Sequence, residues 1–224
     1  MLDKYPGFTP YCYAFNIPIT AIDINGNDAI FIHFINYRIG VSGRNIPFIG
    51  HAGVLLIDNK TGESKYYDFG RYGDNAKGLV RSNTNLNFQL DNIPINSKGE
   101  LDKDAISDRL KTVSEKVAKG SEIMGAYIES NKYNEMVDYS DKKFQETNDP
   151  NSENTYNEIS HNCATFASDV IRQDQDVNGA PTPFLFMPIH FTAWYQTYYP
   201  PVSYDNNKNK YIIGYGAEDA KQDK

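Results

Sequence analysis

The segment EISHNCATFASDVI, residues 158–171, contains Cys163, one of only two cysteines in the chain. Apolar residues follow Cys163 at helical spacing, and Asn162 or Ser160 can cap the helix that they predict. A helix N-terminus offers unpaired N–H groups and the positive end of the helix dipole, which favour a thiolate and can hold an oxyanion. The thiolate is the reactive form of cysteine. Cys163 is therefore a candidate nucleophile, and the alternative is a buried core cysteine.

A candidate base precedes this nucleophile in the chain. His51 opens an apolar strand, and the surrounding residues 50–70 predict a β-hairpin. In the register that its turn suggests, Gly53 faces Asp68, and Asp68 lies diagonally beside His51 on the same face. A carboxylate there would orient the imidazole and stabilise the imidazolium. A slip by one residue would place Tyr67 there instead.

The remaining histidines and the second cysteine have weaker settings. His161 lines the site or acts as a capping or surface residue. His190 would give the conventional order of cysteine then histidine, but its surroundings lack a clear strand start, so it ranks second. Cys12 lies among strand-like aromatics, and His33 lies within an apolar strand, so both are interpreted as structural. No CxxC pair occurs in the chain, and we expect neither a metal nor a cofactor.

The elements that would position these side chains change from strands to helices along the chain. Strands are predicted near residues 30–38, 51–57, 64–69, 85–93 and 210–216. Helices are predicted over residues 102–120 and 162–172, with a weakly periodic helix and a surface loop over residues 131–157. These elements predict an α+β fold in which the nucleophile helix packs against a central antiparallel sheet.

Composition predicts one domain over residues 1–224 with a disordered tail near 217–224. The net charge of −7 argues against nucleic acid and against anionic membrane surfaces as partners. No apolar run approaches the roughly 20 residues that span a bilayer, so stable membrane association is not expected. The N-terminal residues lack the pattern of a signal peptide, which predicts that secretion, if it occurs, uses another route.

Three motifs together resemble a known family. They are GHAGV at the start of the first hairpin strand, YYDFG at the end of the second, and HNCATFASDVI in the later helix. They are similar to the circularly permuted NlpC-like branch of the papain-like superfamily, in which the histidine strand precedes the cysteine helix. The nucleophile helix of lecithin retinol acyltransferase-like and PPPDE-type members carries a similar Asn-Cys…Phe pattern, matched here by Asn162, Cys163 and Phe166. The resemblance covers residues 48–72 and 158–172.

The resemblance implies a papain-like fold and a cysteine hydrolase with Cys163 as nucleophile, His51 as base and Asp68 as third member. Lecithin retinol acyltransferase-like enzymes usually carry a second histidine on the next strand, where this chain has YYD at residues 66–68. The candidate substrate-contacting residues are Tyr66, His161, Asn162 and Trp194. Trp194 belongs to the proline- and aromatic-rich residues 181–204, which would form one wall of the cleft or pack as ordinary core and loop.

The expected function is acyl transfer through a covalent intermediate. Members of the branch include peptidoglycan amidases and endopeptidases, acyltransferases and deubiquitinase-like peptidases. The richness in Asn, Lys, Ile, Tyr and Asp is similar to that of proteins from AT-rich bacterial genomes, and a stand-alone domain of this kind resembles interbacterial effectors such as those of type VI secretion. We therefore expect an antibacterial effector toxin that cleaves amide bonds in peptidoglycan stem peptides in a recipient's periplasm, with an immunity protein as partner. The alternatives are a lipid acyl hydrolase or acyltransferase and a non-catalytic papain-like binding module.

Overall fold

The structure of the chain is a computed structural model that describes residues 27–37, 39–41, 44–46, 50–72, 77–157, 159–180 and 187–214. Cys12, the predicted tail near 217–224 and the first part of the aromatic-rich residues 181–204 lie outside these ranges. The strands are β1 (Asn27–Phe34), β2 (Ile39–Val41), β3 (Arg44–Ile46), β4 (His51–Asp58), β5 (Ser64–Arg71), β6 (Gly78–Ser82), β7 (Ile123–Ser130), β8 (Pro201–Asp205) and β9 (Lys210–Ile213). The helices are α1 (Lys103–Ala118), α2 (Tyr133–Asn148), α3 (Cys163–Ile171) and α4 (Pro188–Tyr198).

Seven of these strands form one sheet in the order β6-β5-β4-β1-β7-β8-β9, and every neighbouring pair is antiparallel. β2 and β3 pair separately as a short hairpin. Helix α3, which begins with Cys163, packs against β4 and β5. The predicted α+β fold, with a central antiparallel sheet against this helix, is confirmed.

Helices cover both faces of the sheet. One face packs against α1 through Leu110 and Val113, which join Ile30 and Leu55 in one buried cluster. The other face packs against α2, α3 and α4 in a second cluster. β1 and β4 lie at the centre of the sheet and are buried on both faces, which explains why their sequences read as nearly continuous apolar runs.

Most predicted elements lie within a few residues of observed ones. The strands predicted near 51–57 and 64–69 are β4 and β5, and the one near 30–38 is β1, which ends at Phe34. The helices predicted over 102–120 and 162–172 are α1 and α3, the weak helix is α2, and the last strand is β9.

The strand predicted over residues 85–93 is wrong. This segment forms turns, in which Asn87 has a positive φ of 56° and the Phe88 N–H bonds to the carbonyl of Asn83. Phe88 and Ile93 are buried against the cluster beneath α1, so the alternation of apolar residues reflects packing of a loop rather than strand pairing. Five observed strands, β2, β3, β6, β7 and β8, and the helix α4 had no predicted counterpart.

The packing of α1 gives a test of the fold. Replacing Leu110, which is fully buried, by Ala should lower the free energy of unfolding by about 2–5 kcal/mol, because the substitution leaves a cavity between α1 and the sheet. Glu115→Ala on the exposed face of the same helix should change it by no more than about 0.5 kcal/mol. Denaturant unfolding of both variants measures the difference, and equal stabilities would contradict the described packing.

Candidate active site

Cys163 is the first residue of α3, and the helix is capped by its own sequence. The Asn162 side chain accepts hydrogen bonds from the N–H groups of Ala164 and Thr165, at 2.9 and 3.1 Å. The Thr165 hydroxyl in turn accepts from the Asn162 N–H at 2.8 Å, which completes a capping box. Asn162, predicted to contact substrate, is therefore placed directly beside Cys163 and is buried. Cys163 is a buried free thiol.

His51 is the first residue of β4 and lies at the end of the sheet. Gly50 before it has a φ of +67°, and a Cβ at this position would collide with the ring of His33, so glycine is required there. The His51 ring stacks on Phe34 at 6.0 Å between ring centroids and lies 5.1 Å from the ring of Tyr37. These aromatic contacts fix the ring at the point where it meets α3.

The predicted hairpin register is present. Gly53 pairs with Asp68, and Nε2 of His51 lies 3.1 Å from Oδ2 of Asp68. Both side chains are buried, Asp68 completely. The carboxylate therefore contacts the imidazole, as the register of β4 and β5 requires.

His51 also hydrogen-bonds to the thiol of Cys163. Because Nε2 faces Asp68, Nδ1 is the ring nitrogen that remains for the sulfur. Burial opposes ionisation of the thiol, but the neighbouring His51 charge and its hydrogen bond outweigh burial and lower the pKa of Cys163. Burial likewise opposes protonation of His51, but the thiolate of Cys163 and the carboxylate of Asp68 raise its pKa to about 9. The arrangement favours a thiolate–imidazolium pair.

The Asp68 carboxylate has two further partners. The Tyr66 hydroxyl donates to Oδ2 at 2.9 Å. The guanidinium of Arg81 donates to both oxygens, from Nε to Oδ1 at 3.0 Å and from Nη2 to Oδ2 at 2.7 Å. Burial by itself would raise the pKa of Asp68, but His51 and Arg81 outweigh it and hold that pKa well below its usual range. Tyr66 therefore lies in the site, where its hydroxyl contacts the Asp68 carboxylate, and its contact with substrate stays a prediction.

Sequence reasoning missed three residues of this site. The Tyr72 hydroxyl lies 2.9 Å from His51 Nε2 and accepts from Arg81 at 2.7 Å. The Tyr156 hydroxyl lies 3.9 Å from Cys163 Sγ and can donate to the thiolate. Arg81 is the direct cross-strand partner of Asp68, which would have indicated its place in the site. This indication depends on knowing that β6 pairs with β5.

Other predicted residues lie farther from the centre. His161 is exposed and its ring lies 4.7 Å from that of Phe69, close to the start of α3. The Trp194 indole N–H donates to the carbonyl of Asn178, which follows the far end of α3, so the structure does not bring Trp194 to Cys163. His190 is exposed on α4.

His33, interpreted from the sequence as a packing residue, is buried. Its Nδ1 lies 3.3 Å from the Thr192 hydroxyl.

Two further features of the described part of the chain concern metal ions and membranes. Within residues 27–214, gaps apart, no group of three or more His, Cys, Asp or Glu side chains is arranged to hold a metal ion. No helix among the described elements is both long enough and apolar enough to cross a bilayer.

The fold and the site together define an α+β protein with a buried cysteine–histidine–aspartate arrangement at the end of its sheet. A family model described as type VI secretion system effector TseH-like matches residues 16–178. The chain therefore belongs to the TseH-like family of type VI secretion system effectors, which are delivered to recipient cells.

A solved structure and a search of curated proteins complete the comparison. The crystal structure of the type VI secretion system effector TseH is similar to this chain with a TM-score of 0.71 and 28% sequence identity. The alignment covers 85% of this chain and 99% of that one. A search of curated proteins found no match.

The ion pair predicts a specific reactivity for Cys163. Its alkylation by iodoacetamide should rise at a pH below the reference thiol pKa of about 8.5, because His51 stabilises the thiolate. His51→Ala should move that rise to higher pH. Mass spectrometry measures the alkylation rate of each cysteine-containing peptide separately. Each rate is divided by its own plateau at high pH, so that slow access of the reagent to a buried thiol does not affect the midpoint. An unchanged midpoint in His51→Ala would show that His51 does not stabilise the thiolate.

Proposed function

We propose that this chain is a thiol hydrolase that cleaves amide bonds, with Cys163 as the nucleophile. The observation that carries the proposal is the continuous contact from the Cys163 thiol through the His51 ring to the Asp68 carboxylate. A nucleophile, a base and a group that orients the base are the parts that covalent acyl transfer requires. Their position at a helix start adds donors for the oxyanion.

In the proposed reaction the Cys163 thiolate attacks the carbonyl carbon of the scissile amide while His51 holds the proton on Nδ1. Asn162 already occupies the N–H groups of Ala164 and Thr165, so the N–H of Cys163 is the first-turn donor that we assign to the oxyanion. Nδ1 then gives its proton to the leaving amine, and a thioester remains on the enzyme. Water, deprotonated by the now neutral His51, attacks the thioester, the acyl group leaves as a carboxylic acid, and the thiolate–imidazolium pair is restored.

The chain order supports a permuted papain-like arrangement of the NlpC type. The histidine comes first on β4, the carboxylate follows on β5, and the nucleophile comes last on α3. We propose that the substrate is a peptidoglycan stem peptide in the periplasm of the recipient; membership in a type VI effector family supports delivery to another cell, and the thiol site supports cleavage of an amide bond. An immunity protein would then protect the producing cell.

Digestion of purified sacculi tests the proposal. The wild-type protein should release new amino or carboxyl ends from sacculi, and Cys163→Ala should release none, because the variant has no nucleophile. Cys163→Ala should retain its free energy of unfolding to within about 2 kcal/mol, since a thiol contributes modest burial. Release of muropeptides is followed by chromatography and mass spectrometry.

Parallel incubation with phospholipid vesicles separates the substrate classes. Hydrolysis of vesicle lipids with intact sacculi would replace the peptidoglycan proposal by lipid acyl hydrolysis on the same thiol. If neither substrate reacts and the thiol has an ordinary pKa, the hydrolase proposal fails and a binding module is the better description.

Asp68→Asn tests the third member of the site. The amide keeps the shape of the carboxylate but loses its charge and can donate to Nε2, which favours the wrong histidine tautomer. Turnover should fall at least about tenfold, since the equivalent carboxylate-to-amide change in serine hydrolases lowers turnover by more than this. Circular dichroism and thermal unfolding serve as controls for folding. Unchanged turnover would show that another group orients His51.

A further inference from the structure

We propose that Arg81 is a positioning residue of this site, which holds the Asp68 carboxylate ionised and oriented so that His51 always keeps a proton on Nε2, and Nδ1, which faces Cys163, is the nitrogen that gives up and takes back a proton. The inference rests on the proposed thiol chemistry but concerns a property of the protein that exists before any substrate binds. It can therefore be tested separately from activity.

The geometry of the pair is that of a fork. Arg81 lies directly opposite Asp68 across β5 and β6, and its Nε and Nη2 donate to different carboxylate oxygens. Two parallel bonds from a planar guanidinium fix the plane of the carboxylate as well as its position. The guanidinium lies over the Tyr72 ring, with Cζ 3.4 Å from the ring centroid, and Nη2 also donates to the Tyr72 hydroxyl. Arg81 is therefore held on two sides.

Gly70 leaves room for the contact between Tyr72 and Arg81. A Cβ at position 70 would lie 2.5 Å from Cζ of Tyr72, so any larger residue would displace the ring that lies over Arg81. The absence of a side chain at this position on β5 lets Tyr72 fold back against the site. Tyr72 in turn brings its hydroxyl to 2.9 Å from His51 Nε2.

The charge on Asp68 decides where the His51 proton lies. An ionised carboxylate can only accept, so the contact between Oδ2 and Nε2 requires the proton on Nε2. A protonated carboxyl group would instead donate to Nε2, and the single proton of a neutral ring would then lie on Nδ1. In that tautomer Nδ1 faces Cys163 with a proton already on it and cannot act as the base.

The help that His51 gives to an ionised Asp68 weakens during the reaction cycle. His51 lowers the pKa of Asp68 through its hydrogen bond and through the charge of the imidazolium, and that charge is lost when Nδ1 gives its proton to the leaving group. Asp68 is completely buried, and burial favours its neutral form. The guanidinium of Arg81 is charged at every relevant pH, so it opposes protonation of Asp68 at each stage.

Apart from Arg71, which lies over the Tyr156 ring beside Cys163, the other described titratable groups near Asp68 and His51 carry no positive charge at neutral pH. These groups are Tyr37 beside His51, His33 on β1, Tyr66 on β5 and Tyr72 after β5. Burial and the charge of His51 lower the pKa of His33 to about 4, and burial raises the pKa of each tyrosine, so all four are neutral. Among the described residues that contact Asp68, Arg81 is therefore the permanent cation.

The tautomer of His51 is the direct readout. In a Cys163→Ala background, which removes the thiolate, two-bond ¹⁵N–¹H correlation spectra above the titration of His51 report which ring nitrogen carries the proton. We expect the proton on Nε2 with Arg81 present, and a mixed or Nδ1-protonated ring in Cys163→Ala combined with Arg81→Met. The His51 signals are assigned by their loss in His51→Gln. An Nε2-protonated ring in the Arg81→Met variant would overturn the proposal.

The pH dependence of Cys163 alkylation is the second readout. Arg81→Met should raise the midpoint by about one unit or more, because an imidazolium beside a neutral carboxyl group is less stable. Arg109→Met is the matched control, since it removes an arginine that faces Asp91 away from the site and should leave the midpoint unchanged. An unchanged or lowered midpoint in Arg81→Met would contradict the proposal.

Thermal unfolding shows whether Arg81→Met folds. If it does not, Arg81→Gln replaces it in both measurements; it removes the charge but can still donate a hydrogen bond, so we expect a change in the same direction, and no change would overturn the proposal. An unreactive wild-type thiol would count against the proposed hydrolase and leave the tautomer result standing. A reactive wild-type thiol with an Arg81-independent tautomer would count against the role of Arg81 alone.

Discussion

The structure of the site depends on one buried negative charge, the carboxylate of Asp68. Removing an ion of this kind from water costs several kcal/mol, and the cost must be offset by charges and hydrogen bonds that the protein supplies. Here the carboxylate receives four hydrogen bonds, from His51, from Tyr66 and twice from Arg81. Each donor comes from β4, β5 or β6, so the carboxylate joins three adjacent strands through their side chains.

The sheet carries these groups to a helix that approaches from the opposite face. Cys163 packs within the cluster formed with α2, α3 and α4, whereas His51 stacks on Phe34, which belongs to the cluster beneath α1. The two side chains meet because His51 is the first residue of β4 and lies where the sheet ends. A histidine placed farther along the same strand would be separated from the thiol by the sheet itself.

The sequence allowed the local part of the site to be predicted. The pairing of Gly53 with Asp68 follows from a short hairpin, and the helix start at Cys163 follows from a capping pattern that lies next to it in the chain. The pairing of β7 with β1 could not be predicted, because it joins residues as far apart as Asn27 and Ser130 and no local pattern encodes such a contact. Arg81 depended on the same kind of information, since β6 had to be recognised before its partner was known. The catalytic roles of these residues, and of Trp194 and His161 as substrate contacts, stay predictions.

The hydrogen bonds that cap α3 at Cys163 are independent of those in the loop that precedes the helix. Asn162 and Thr165 close the helix start between themselves, and the preceding turn is closed by reciprocal backbone bonds between Asn157 and His161, with Ile159 exposed at its tip. The two units share a boundary but none of these hydrogen bonds. Residues at the tip of the turn can therefore be replaced without breaking the hydrogen bonds that hold Cys163 at the start of α3.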